Sequence, residues 1–88
     1  MPDVSASVLD DLGKLSKECF RHRKQSTCRF ALVIAETLQN KADESQQYEC
    51  QSRLLGLSTD LIMISMGNSY PKSAWKMLQE VRVSCKDL

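Results

Sequence analysis

The sequence predicts an all-α fold, a small antiparallel bundle of four helices, or of three if the first two merge. Three observations carry that prediction. Apolar residues recur at alternating spacings of four and three through successive segments, the rhythm of helix faces turned toward one another. Breakers are sparse, because Gly13, Gly56, Gly67, Pro2 and Pro71 leave long runs uninterrupted, unlike a many-turned β fold. The 88 residues make a single helical domain, 1–88, either whole or excised from a longer protein. A chain this short buries little more than ~60% of its unfolded surface, so association would add useful stability.

The first helix is expected over Ser5 to about Lys24. Val8, Leu12, Leu15 and Cys19 share one face, with Leu9 and Phe20 beside them. Ser5 or Ser7 suits the start, where a hydroxyl accepts a free backbone N–H. Asp10 and Asp11 lie in the early turns, and Lys17, Arg21, Arg23 and Lys24 crowd the other end, each sign favourable to the helix dipole. Gly13 costs ~1 kcal/mol relative to alanine inside a helix and leaves room for close approach of a neighbour. A break is expected near Gln25 to Thr27, with Ser26 or Thr27 capping the second helix.

The second helix runs through ALVIAETLQNK, with Thr27, Ala31, Ile34 and Leu38 on one face. Phe30, Val33 and Leu32 add apolar surface elsewhere, so broad burial is expected. Its end is placed near Asn40 to Ala42, with Asn40 in a left-handed cap. Asp43 then caps a third helix, with Gln46 at the reciprocal capping-box position. That helix holds the most apolar stretch of the chain, Leu54 to Met66. Cys50, Leu54, Leu57, Leu61 and Ile64 form its seam; Leu55, Ile62, Met63 and Met66 widen it, and Asp60 is the one charge after Arg53. Such a helix is central in its fold or presents a surface to a partner. Gly67 and Asn68 stop it, and Pro71 opens the fourth helix, in which Ala74, Leu78, Val81, Cys85 and Leu88 recur at four, three, four, three.

Composition narrows function by exclusion. Net charge is +1, which gives no bulk field toward nucleic acid or membrane. No run reaches the ~20 apolar residues of a membrane span. Cys19, Cys28, Cys50 and Cys85 each fall where a small apolar residue suits a helix face. The N-terminal segment carries acids and no basic n-region, unlike a signal peptide. The sequence therefore points to reduced thiols in a cytoplasmic or nuclear protein. The alternative that an even cysteine count permits is two disulfides in a secreted helical factor.

Three groups of residues could act. Arg21, His22, Arg23, Lys24 and Arg29 are basic, and no acid lies between Glu18 and Glu36. Phosphate, RNA or an acidic partner would suit such a field, while a solvated helix end explains it equally well. Acids at Glu36, Asp43, Glu44 and Glu49 make the chain polar end to end rather than a nucleic-acid stripe. Cys19, His22 and Cys28 offer zinc-type donors, but a structural zinc site takes two close ligand pairs and no second pair exists, so no metal is expected. Leu55, Met63, Met66, Trp75 and Met77 supply the adaptable apolar side chains of partner surfaces. No orienting carboxylate lies near His22 in sequence, and there is no phosphate loop or nucleophile motif, so neither an enzyme nor a cofactor is expected.

The segments ECFRHRKQSTC (18–28) and SAWKMLQEV (73–81) resemble the helical C-terminal domain of steroid receptor RNA activator protein. The resemblance implies helices and carries no functional residue across.

The expected function is a noncatalytic interaction or assembly module of adaptor or scaffold type. It would self-associate as a homodimer or dock a partner's helical segment through Leu55, Met63, Met66, Trp75 and Met77. Arg21, Arg23, Lys24 and Arg29 would steer an acidic protein surface, with neither membrane nor nucleic acid as the main partner. The alternatives are a nucleic-acid-associated domain using Arg21 to Arg29, and the secreted disulfide-bonded factor.

Overall fold

The computed structural model describes residues 4–67 and 72–88, with side chains from residue 8 onward. Four helices follow one another, α1 (Val4–His22), α2 (Gln25–Glu44), α3 (Tyr48–Ser65) and α4 (Ala74–Ser84), and the described residues contain no strand. The two-residue link between α1 and α2 keeps the helices separate. Arg82 meets Asp10 near one end of α1 and Trp75 meets Phe20 near the other, so α4 runs antiparallel to α1. Arg53 facing Glu80 and Gly56 facing Met77 set α4 antiparallel to α3 as well. The result is an up-down-up-down bundle. Helix α3 touches all three others, while α2 and α4 stay apart on the diagonal.

The seam residues of α3, Cys50, Leu54, Leu57, Leu61 and Ile64, are all buried, as the spacing predicts. Leu12, Cys19 and Phe20 meet them from α1, and Ala74, Leu78, Val81 and Cys85 from α4 and the turn after it. Helix α2 contributes small side chains, Cys28, Ala31, Ala35 and Ala42, with Leu38. Small residues on one helix let a neighbour's backbone approach closely, which is why α2 needs a narrow face. The expectation of broad burial for α2 is corrected accordingly: Phe30 is 64% and Val33 59% exposed, on the side away from the alanines. Two polar side chains are also buried, and Gln39 Nε2 donates to Ser58 Oγ at 2.8 Å across the α2–α3 contact.

The helix ends differ from the sequence-based boundaries for one shared reason. Three chain reversals use a residue in the left-handed region, and glycine supplies one of them. Arg23 (φ 53°) ends α1, its N–H bonded to the Cys19 carbonyl at 2.8 Å. Gln46 (φ 59°) ends α2. The Gln47 N–H reaches the Ala42 carbonyl at 2.8 Å and the Gln46 N–H reaches Asp43 at 3.1 Å, the paired bonds of a Schellman cap. Asp43 and Asn40 therefore lie inside α2, and Gln47 precedes α3 where Asp43 was expected to. Lys24 occupies the start of α2 in place of Ser26 or Thr27. Gly67 (φ 77°) closes α3 as expected, its N–H bonded to Ile64 at 3.1 Å. The roles given to the Ser5 and Ser7 side chains, Asn68 and Pro71 fall outside the described residues.

The expectation of four free thiols is also corrected. Cys19 and Cys28 are bonded, as are Cys50 and Cys85, with Cα separations of 4.8 and 4.9 Å, inside the range a disulfide spans. The four residues are buried seam positions, as their spacing indicates. Antiparallel pairing sets them opposite each other. The left-handed Arg23 folds the first turn of α2 back onto the last turn of α1, facing Cys28 with Cys19. The α3–α4 pairing brings the residue after α4 beside the start of α3.

Candidate interaction surfaces

The described residues contain no group of three metal-ligating side chains, and the sulfurs of Cys19 and Cys28 are committed to each other. No helix among them is long and apolar enough to cross a membrane. What remains is surface of two kinds.

The apolar kind lies on the outside of α3. Leu55 is 59% and Met66 69% exposed, and Tyr48, Ile62 and Met63 are exposed too. Tyr48, Ser52, Leu55, Thr59, Ile62 and Met66 are spaced four, three, four, three, four, so they share one face. That face lies opposite the buried seam and runs for about 27 Å at the helical rise. It carries no charge. Helix α3 is therefore apolar on two sides. The sequence-based group of five divides here. Leu55 and Met66 belong to this face and Met63 borders it. Met77 is half-buried against Gly56, where an added Cβ would lie 3.0 Å from Met77 Cε. Trp75 sits elsewhere, at the contact of α4 with α1, its ring 5.1 Å from Phe20 at 67°. Tyr48 was missed as a member of this surface, although its spacing of seven from Leu55 and fourteen from Ile62 is legible in the sequence.

The basic kind also divides. Arg21, Arg23, Lys24 and Arg29 are all exposed, but they do not serve one surface. Arg21 lies over the Trp75 ring, 5.7 Å from its centroid, a cation–π contact. The Arg23 backbone shapes the α1–α2 turn. Arg29 lines a shallow depression of about 360 Å³ with Phe30 and Val33 on the outside of α2. His22 Nε2 lies 3.5 Å from Glu18 Oε2, one turn back on α1, which corrects the expectation that no carboxylate lies near this histidine, since residues four apart share a helix face. A larger groove of about 780 Å³ runs between α1 and α4, lined in part by Lys17, Lys72, Trp75, Lys76, Leu78 and Arg82. Lys17, Lys72 and Lys76 stand outside the cluster read from the sequence, because proximity in the chain does not show what α4 brings to α1. One signal was legible: Lys14, Lys17 and Arg21 recur at three and four along one side of α1.

Two buried polar atoms, Ser16 Oγ and Asp60 Oδ2, have no hydrogen-bond partner among the described residues. Desolvation raises the Asp60 pKa above 3.8, since burial disfavours the charged carboxylate.

No family model, curated protein or solved structure matches the chain, so the resemblance to the steroid receptor RNA activator protein domain finds no support there.

Proposed function

We propose that the chain is a noncatalytic interaction domain of adaptor or scaffold type, and that it associates through the outer face of α3. The observation that carries this is the second apolar seam, Tyr48, Leu55 and Ile62 on heptad spacing with Met66 one turn beyond, opposite the seam already used by the core. A stripe of this period fits another helix lying along it. Its occupant is a second copy of the same face. Self-pairing about a two-fold axis sets residue i against residue j and j against i, and an uncharged face meets no like charge when it does so. A different protein's amphipathic helix is the competing occupant.

The expected cytoplasmic or nuclear location rested on free thiols. The two disulfides favour instead an oxidising setting, such as that of a secreted helical factor. We therefore place the proposed assembly there.

Light scattering on the oxidised chain over a range of concentrations tests the reading. A dimer is expected, and Leu55→Glu should return it to monomer while far-UV circular dichroism stays helical. A monomer at every concentration up to the millimolar range, or a dimer indifferent to Leu55→Glu and Ile62→Glu, would overturn it.

A further inference from the structure

We propose that the groove between α1 and α4 binds an acidic peptide segment of a partner protein. This surface shares no residue with the outer face of α3, so the proposal does not depend on self-association. Lys17 enters from α1 and Lys72, Lys76 and Arg82 from the α4 side. Among the described residues no carboxylate lines the groove. Asp10 is engaged with Arg82 at 3.4 Å, and no ion pair among the described residues involves Lys17, Lys72 or Lys76. Arg21 extends the positive field at the Trp75 end.

The lining also selects among anions. Leu78, Val83 and the exposed part of Trp75 give it apolar floor between the cations. A peptide that mixes carboxylates with apolar side chains satisfies both features at once. Single-stranded nucleic acid asks for open aromatic faces on which bases stack. Trp75 does not offer that, because its ring carries the Arg21 guanidinium and packs against Phe20. A near-neutral chain also lacks the overall charge that holds a polyphosphate backbone. Recognition here is local, by three lysines along one groove.

The groove carries its own reporter, since Trp75 is the single tryptophan of the chain. The experiment titrates the oxidised, full chain with a ten-residue peptide of Asp and Glu interrupted by two leucines, following tryptophan fluorescence and, with a labelled peptide, anisotropy. Saturable binding is expected that weakens as salt is raised. Lys17→Glu with Lys76→Glu should weaken it about tenfold or more, as loss of complementary charge does. Arg29→Glu, outside the groove, should change it less than about twofold, and Leu55→Glu should leave it intact whatever it does to association. No saturable change, or equal effects from the groove pair and Arg29→Glu, would overturn the proposal. So would tighter binding of a single-stranded oligonucleotide or of a sulfated polysaccharide of equal charge.

Discussion

Removing the Cys50–Cys85 bond should destabilise the molecule more than removing Cys19–Cys28, and the size of the difference follows from the topology. The bond closes a separation of 35 residues, against 9 for Cys19–Cys28. In the chain-entropy treatment, the stabilisation from restricting the unfolded chain grows with the logarithm of the loop. It comes to about 3.8 kcal/mol for the long loop and about 2.6 kcal/mol for the short one. Cys50→Ala with Cys85→Ala, and Cys19→Ala with Cys28→Ala, each exchange two fully buried sulfurs for methyl groups. The packing change is thus similar in both, and their difference isolates the loop term at about 1.2 kcal/mol. In a domain of this size that is about 5–10 °C between their melting temperatures. Urea unfolding of the two double variants under oxidising conditions measures it. Intact mass should first show the parent chain lighter by four hydrogens than its reduced form. Equal losses in the two variants, or a larger loss without Cys19–Cys28, would refute the reasoning.

Three further outcomes follow from single positions. Gly13→Ala should raise stability by about 0.5–1 kcal/mol by helix propensity, because a new Cβ would meet Arg82 Nη1 at an ordinary 3.6 Å; thermal unfolding reads this, and destabilisation would show that the site needs closer approach. Gln46→Gly should stabilise by about 1 kcal/mol, relieving a left-handed side chain at the α2 cap, and chemical denaturation should detect it. For Asp60 the raised native pKa means that the folded state binds more proton than the unfolded one between 3.8 and the native value. Stability from this group therefore falls as pH rises through that window, and the penalty is complete above it. Asp60→Asn should be more stable than the parent at pH 7, with the difference shrinking as pH drops through that window toward 3.8; a difference that widens on acidification would contradict the assignment.

The period of the sequence was enough for the helices and for much of the core, because burial in a bundle follows spacing directly. Leu12, Cys19, Ala31, Leu38, Leu54, Leu61, Leu78 and Val81 all fall on seams legible from the chain and all are buried. Boundaries were less legible because Arg23 and Gln46 take up a conformation that sequence reading assigns to glycine or asparagine. The capping pattern at Asp43 and Gln46 is real in composition. The chain spends those residues on ending α2 rather than starting α3. The disulfides were hidden for a related reason, since the same burial suits a thiol and a bonded sulfur. What separates them is which cysteines lie opposite each other, a property of pairing between helices.

Two features then explain each other. Helix α2 offers the core mostly alanines, so the apolar interior is thin. Small domains with thin cores are commonly braced by disulfides. Here one bond holds the α1–α2 corner and the other holds the start of α3 to the end of α4. With its start tied to the end of α4, α3 needs less of its apolar surface to stabilise the monomer. Leu55, Ile62 and Met66 remain outside, on a helix clamped among three neighbours. A face held rigid before contact loses little conformational freedom when a partner arrives, which favours affinity. Reducing the chain should therefore weaken the proposed association even under conditions that keep it helical. Light scattering with and without reductant, with circular dichroism as the folding control, tests the coupling. A dimer equally tight in the reduced, still helical chain would separate bracing from assembly and defeat the argument.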